Sequence, residues 1–124
     1  MANFLILKRI KQAIGLDQCE IFFYGAAPLK NTSIDYFASL DIPLNNMYGL
    51  SECAGSTTVS LATDFSLHHA GQQMTGTHVK IANPDEKGVG EITIYGRHIM
   101  MGYLKNEKAT LECIGEDGYF KTGD

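Results

Sequence analysis

The sequence predicts an α/β chain, and two observations carry that expectation. Strand-like and helix-like segments alternate over residues 1–70, which favours a sheet with parallel strands. Residues 71–124 change character, with short alternating runs separated by turn residues, and predict a smaller β-rich part. The boundary is expected near residues 66–74.

Each element follows from a local pattern. Ile6, Ile10, Ala13 and Ile14 recur at helical spacing, and Gly15 stands where a helix C-cap belongs. Glu20 to Tyr24 reads as a buried strand ending at Gly25. Thr32 with Asp35 resembles a capping box that opens a helix through Ile34, Phe37 and Leu40. Ile42 to Tyr48 reads as extended, and Thr57 to Leu61 as a further strand. His78–Ala82 and Gly90–Tyr95 alternate on either side of an Asn83-Pro84-Asp85 turn, which is a hairpin signal. Asn106 is placed to cap a short helix through Thr110 and Leu111, and Asp117-Gly118 reads as a tight turn before Tyr119-Phe120.

The composition is that of an ordinary globular chain, 44% hydrophobic and 19% charged over 124 residues. Net charge is −4 with the signs intermixed, and no basic run suggests nucleic acid or an anionic membrane surface. The apolar opening around Phe4–Leu7 is too short for a signal-peptide core or a bilayer span. Cys19, Cys53 and Cys113 lie far apart, with neither zinc spacing nor a disulfide framework, and read as reduced thiols of a cytosolic protein.

Four segments carry candidate chemistry, and each also has a plain structural explanation. Gly25-Ala26-Ala27-Pro28-Leu29 follows a strand; its small residues suit a simple turn or the close approach of a flat ligand. Asn46-Met47-Tyr48-Gly49-Leu50-Ser51-Glu52 puts a ring, a hydroxyl and a carboxylate on one glycine turn at a strand end, where open α/β sheets bind ligands. The ring can stack on a purine, the hydroxyl can bond a phosphate oxygen and the carboxylate can hold Mg²⁺. Gly90 to Gly96 with Met101-Gly102-Tyr103-Leu104 reads equally well as an edge hairpin and its turn. Asp124, at the end of Asp117 to Asp124, is suited to accept bonds from both hydroxyls of a ribose.

In this order and spacing, the segments closely resemble consecutive motifs of the adenylate-forming superfamily. Its Asn-x-Tyr-Gly-x-Thr-Glu pattern is similar to Asn46–Glu52, with Ser51 in place of Thr and the hydroxyl retained. Its Gly-Glu-(apolar)-x-(apolar)-x-Gly pattern leading to Gly-Tyr resembles Gly90–Gly96 and Gly102-Tyr103, and its Thr-Gly-Asp resembles Thr122–Asp124. The stretch Ile10–Cys19 before Gly25, and Gly96-Arg97-His98 before Met101–Leu104, look like the bubblegum-type long-chain acyl-CoA synthetases.

The resemblance implies a partial adenylate-forming N-terminal domain, the end of an α/β subdomain followed by a β-rich, barrel-like one. It implies a ligase that joins a fatty acid to coenzyme A with ATP and Mg²⁺, through an acyl-adenylate. Carried over residue by residue, Tyr48 would stack on adenine, with Gly25, Ala26 and Ala27 lining the adenine and acyl side and Gly49 supplying the turn. Ser51 would contact phosphate or the substrate carboxylate, Glu52 would hold Mg²⁺, Asp124 would bind the ribose, and Cys53 to Gly55 would border the acyl tunnel. The family's phosphate loop and its lysine-bearing C-terminal domain have no counterpart in the sequence, so the 124 residues alone are expected to be inactive and the abrupt ends to mark an internal stretch. Unpaired strand edges would then favour aggregation.

A non-catalytic nucleotide- or acyl-binding product stays open as the alternative, and a luciferase-like oxidative enzyme on the same scaffold has no distinguishing residue here. The family also implies a cytoplasmic chain, with peripheral attachment to the endoplasmic reticulum membrane left open. Oligomeric state and acyl-chain length are not written in these residues.

Overall fold

In a computed structural model the structure describes residues 2–61 and 69–124. Residues 66–68 of the expected boundary lie outside the described residues. The chain forms two compact units, Met1–Met47 with Ser60–Gly71, and Tyr48–Val59 with Gln72–Asp124.

The first unit begins with α1, Ala2–Ala13. Gly15 ends it with a positive φ of 75°. The Gly15 and Leu16 amides donate to the Gln12 and Lys11 carbonyls, at 3.1 and 2.8 Å. Those bonds satisfy carbonyls that the helix end would orphan. Lys11 in the last turn also reaches Asp41 at 2.7 Å. The strand β1, Phe22–Gly25, alternates instead of being buried throughout, with Phe23 exposed between half-buried Phe22 and Tyr24. An aromatic run was expected to be covered on both faces, but a strand turns successive side chains to opposite faces and only one is packed here.

The helix α2, Asn31–Ser39, starts one residue before Thr32. The expected capping box is therefore absent. The Lys30 carbonyl accepts from Ser33 and Ile34 amides at 2.9 and 3.2 Å, so Lys30 is the N-cap and Thr32 and Asp35 fall inside the helix. Ile34 is buried on its inner face. The strand β2, Leu44–Leu50, follows, and its first part pairs in parallel with β1 from Phe22↔Leu44 to Gly25↔Met47. The expected parallel pairing is thus present. Asn45, buried, donates from Nδ2 to the Phe22 carbonyl at 3.0 Å.

In the second unit the end of β2 leads into a single 3-10 turn, Ser51–Cys53, and then β3, Gly55–Val59. β3 pairs antiparallel with the short β4, Gln72–Gln73. The expected hairpin is observed as β5, Thr77–Ala82, antiparallel to β6, Glu91–Gly96, in register from Thr77↔Gly96 to Ala82↔Glu91. Asp85 shapes its turn, with Oδ1 accepting from the Lys87 and Val89 amides at 2.8 Å each. The helix α3, Glu107–Cys113, is capped by Asn106, whose Oδ1 accepts from the Ala109 amide at 3.2 Å. The strand β7, Phe120–Lys121, closes a three-stranded sheet against β6. Cys53, Ile94 and Phe120 form the core, with Tyr48, Leu50 and Ile92 packed around them. Lys80 lies 3.6 Å from the centroid of the Tyr119 ring and 2.8 Å from Asp117, and that bond holds the Asp117 carboxyl below its ordinary value.

Candidate functional site

Five of the expected site residues, Tyr48, Gly49, Ser51, Glu52 and Asp124, lie in the second unit; Gly25, Ala26 and Ala27 lie in the first. In the first unit Gly25 closes β1, where an added Cβ would come within 2.6 Å of the Met47 carbonyl oxygen. Glycine is required there by backbone proximity alone. Ala26 has φ of 65°, a left-handed turn costly for a residue with a Cβ. Ala26 and Ala27 are exposed.

In the second unit Gly49 has a similar constraint, since a Cβ would overlap the carbonyl of Gly55. Without a side chain in the way, the Gly55 backbone lies close against the strand there. Beyond it Ser51 is exposed and Glu52 half-buried on the 3-10 turn. The turn is closed by the Ala54 amide donating to the Ser51 carbonyl at 3.1 Å, with Ala54 left-handed at φ 55°.

Residues distant in sequence meet on this framework. The Tyr48 hydroxyl donates to Asp124 Oδ2 at 2.7 Å across 76 residues. Burial, with the Asp124 carboxylate adding to it and Thr122 opposing, pushes the Tyr48 phenol up to about 12. Tyr48 is therefore a neutral donor at physiological pH. The Asp124 backbone is fixed too: its carbonyl accepts from the Ile92 amide at 3.1 Å and its amide donates to Thr122 Oγ1 at 3.1 Å. Thr122 Oγ1 in turn donates to the Ile92 carbonyl at 2.8 Å, and the Gly123 amide donates to Glu91 Oε1 at 3.1 Å.

Two residues with clear contacts were given no role from sequence. Glu91 holds the Gly123 amide, which ties the Gly-Glu motif to Thr-Gly-Asp. Tyr103 donates from its hydroxyl to Glu52 Oε1 at 2.8 Å, and that bond first of all raises the Tyr103 phenol above its ordinary value. Their only signal was membership of the Gly-Glu and Gly-Tyr patterns. Cys53, next to Glu52, has its thiol pushed up, chiefly by burial.

Among the described residues no three His, Cys, Asp or Glu side chains gather as a protein-only metal cage. Mg²⁺ does not need one, because it keeps several waters and binds through one or two carboxylates plus substrate phosphates. A single half-buried carboxylate, Glu52, fits that demand.

The fold has solved counterparts. The N-terminal domain of FACL13 from Mycobacterium tuberculosis superposes with a TM-score of 0.70 at 28% identity, over 97% of this chain and 33% of that one. ATP-bound MatB from Rhodopseudomonas palustris gives 0.74 at 25% identity, over 84% of this chain and 22% of that one. The architecture is thus that of part of an adenylate-forming N-terminal domain, in which an α/β segment precedes a β-rich one. The AMP-binding enzyme model matches residues 3–104, and the chain belongs to that family. Among its relatives, the long-chain-fatty-acid–CoA ligase ACSBG2 of Gallus gallus, of the bubblegum type, is 44% identical over the whole chain. The chain spans 16% of that relative's length.

Proposed function

We propose that the protein carrying this chain joins a long-chain fatty acid to coenzyme A, using ATP and passing through an acyl-adenylate. The observation that carries the reading is the Tyr48–Asp124 bond, which unites a ring suited to adenine and a carboxylate suited to ribose hydroxyls. The whole-chain likeness to a long-chain-fatty-acid–CoA ligase supports the substrate class.

In the first step a fatty-acid carboxylate attacks the α-phosphorus of ATP and pyrophosphate leaves. In the second the coenzyme A thiol attacks the acyl carbonyl and AMP leaves. Two anions must meet in the first step, so positioning and charge neutralisation are the protein's task. Tyr48 stacks on adenine, with its hydroxyl bond to Asp124 anchoring the far end of the ring. Asp124 accepts from the ribose hydroxyls. Gly49, inside β2, lets the Gly55 carbonyl lie against the strand beside Tyr48. Ser51 offers a hydroxyl to phosphate or to the fatty-acid carboxylate. Glu52 would hold Mg²⁺, which would supply neutralising charge on the phosphates. The protein works in the cytoplasm, with peripheral attachment to the endoplasmic reticulum membrane. The 124-residue chain by itself, without a phosphate loop or the catalytic lysine, does not turn over.

The test is fatty-acid-dependent pyrophosphate release by the full-length protein that contains this chain, with palmitate and ATP. Release is expected in the wild type, with loss of AMP binding in Tyr48→Ala. AMP binding without any fatty-acid-dependent release would replace the ligase with a nucleotide-binding protein.

A further inference from the structure

Glu52 is gripped at two points by one short segment. The Met100 amide donates to its backbone carbonyl at 2.8 Å, and the Tyr103 hydroxyl donates to Oε1 at 2.8 Å, from 51 residues away in sequence. The first bond satisfies a carbonyl of the 3-10 turn, and the second fixes the direction of the carboxylate.

Tyr103 is itself held. Its amide donates to Thr110 Oγ1 at 2.9 Å, and Thr110 Oγ1 donates to the Asn106 carbonyl at 2.9 Å. Asn106 is the cap of α3, so the start of that helix fixes Tyr103 and Tyr103 fixes Glu52. Gly102 makes the approach feasible: it has φ of 148°, and a Cβ there would come within 2.6 Å of the Thr110 methyl. With a side chain at 102, the segment could not lie against α3.

An ionised carboxylate is acceptor-only, with two oxygens and about four lone-pair sites. A phenol that takes one of these orients the group and leaves the remaining lone pairs to a cation. Partners of this kind set the orientation and affinity of metal-binding carboxylates. From this we infer that Tyr103 is a positioning residue that presents the Glu52 carboxylate to a divalent cation accompanying nucleotide phosphates. The inference rests on the reading of Glu52 as the Mg²⁺-holding residue. Tyr103 acts through Glu52, by the bond from its hydroxyl to the carboxylate.

The measurement is Mn²⁺ affinity by electron paramagnetic resonance, on the full-length protein containing this chain, with a non-hydrolysable ATP analogue present. Tyr103→Phe is expected to weaken Mn²⁺ binding by about 10-fold, the low end for loss of such a partner. Metal-free AMP binding and the melting temperature should stay at wild-type values. Thr110→Val, which removes the acceptor for the Tyr103 amide, should act in the same direction and more weakly, and decides the matter if Tyr103→Phe does not fold. Unchanged Mn²⁺ affinity in both variants overturns the positioning role. Parallel loss of AMP binding and melting temperature would make Tyr103 a packing residue and overturn it as well. A wild type that binds the analogue but no Mn²⁺ removes Glu52 from the metal and the inference with it. A wild type that binds metal and analogue but releases no pyrophosphate in the separate assay overturns the ligase reading alone.

Discussion

The two compact units hold their parts together by different means. In the first, α1 leaves Leu5 and Ile6 more than half exposed, and β1 turns Phe23 outward. Its fully buried apolar side chains among the described residues are Ile34 and Ile42. Its side-chain bonds between distant segments, among the described residues, include the Lys11–Asp41 ion pair, a surface contact of a kind worth little, and the Asn45 amide bond to the Phe22 carbonyl 23 residues away. In the second, Cys53, Ile94 and Phe120 form one cluster, and side-chain bonds cross 30 to 76 residues to join β2, β6 and the 122–124 segment. The proposed site residues Tyr48, Glu52 and Asp124 all lie in the unit with that connected core. A site that must hold geometry within a fraction of an ångström is best built on elements that support one another.

The sharpest challenge to this contrast is a pair of core truncations. Phe120→Ala should cost about 3–5 kcal/mol by denaturant unfolding, and Ile34→Ala about 2–3 kcal/mol, because Phe120 is the larger side chain and packs in a cluster with Cys53 and Ile94 that Ile34 does not join. Equal losses would mean that the first unit is as tightly packed as the second. A smaller effect probes the cross-links. Glu91→Ala frees the Gly123 amide and should weaken AMP binding by the full-length protein about fivefold, equivalent to about 1 kcal/mol for one hydrogen bond. No change in calorimetric affinity would show that the Ile92 backbone and Thr122 fix Asp124 without Glu91. The most modest expectation concerns pH. The folded-state value of Tyr48 lies above its unfolded one, so its contribution to stability is complete below about pH 10 and is lost as pH rises through about 12. The difference between alkaline melts of wild type and Tyr48→Phe should be constant below about pH 10 and change as pH rises over that window.

What was legible in the sequence was local. Gly15 ends α1 and Asn106 caps α3 because those signals depend on a few neighbouring atoms. The hairpin register of β5 and β6 follows from alternation and its turn. Thr32 misled for the same reason: the pattern fits a capping box, but Lys30 had already supplied the first carbonyl of α2. The roles of Glu91 and Tyr103 were not legible, since each is defined by a partner 32 or 51 residues away. The resemblance supplied the motifs in order, and it did not say which of their residues would touch.

The position of Cys53 has a practical consequence. It directly follows Glu52 in the 3-10 turn and is 1% exposed, whereas Cys19 is at the surface and Cys113 is half-buried. Its thiol is protonated and inaccessible while the turn is closed, so alkylating reagents reach it only through opening of that region. The chain therefore contains its own reporter: after Cys19 and Cys113 have reacted, the slow modification of Cys53 times how often the carboxylate-bearing turn comes apart, without a single introduced label.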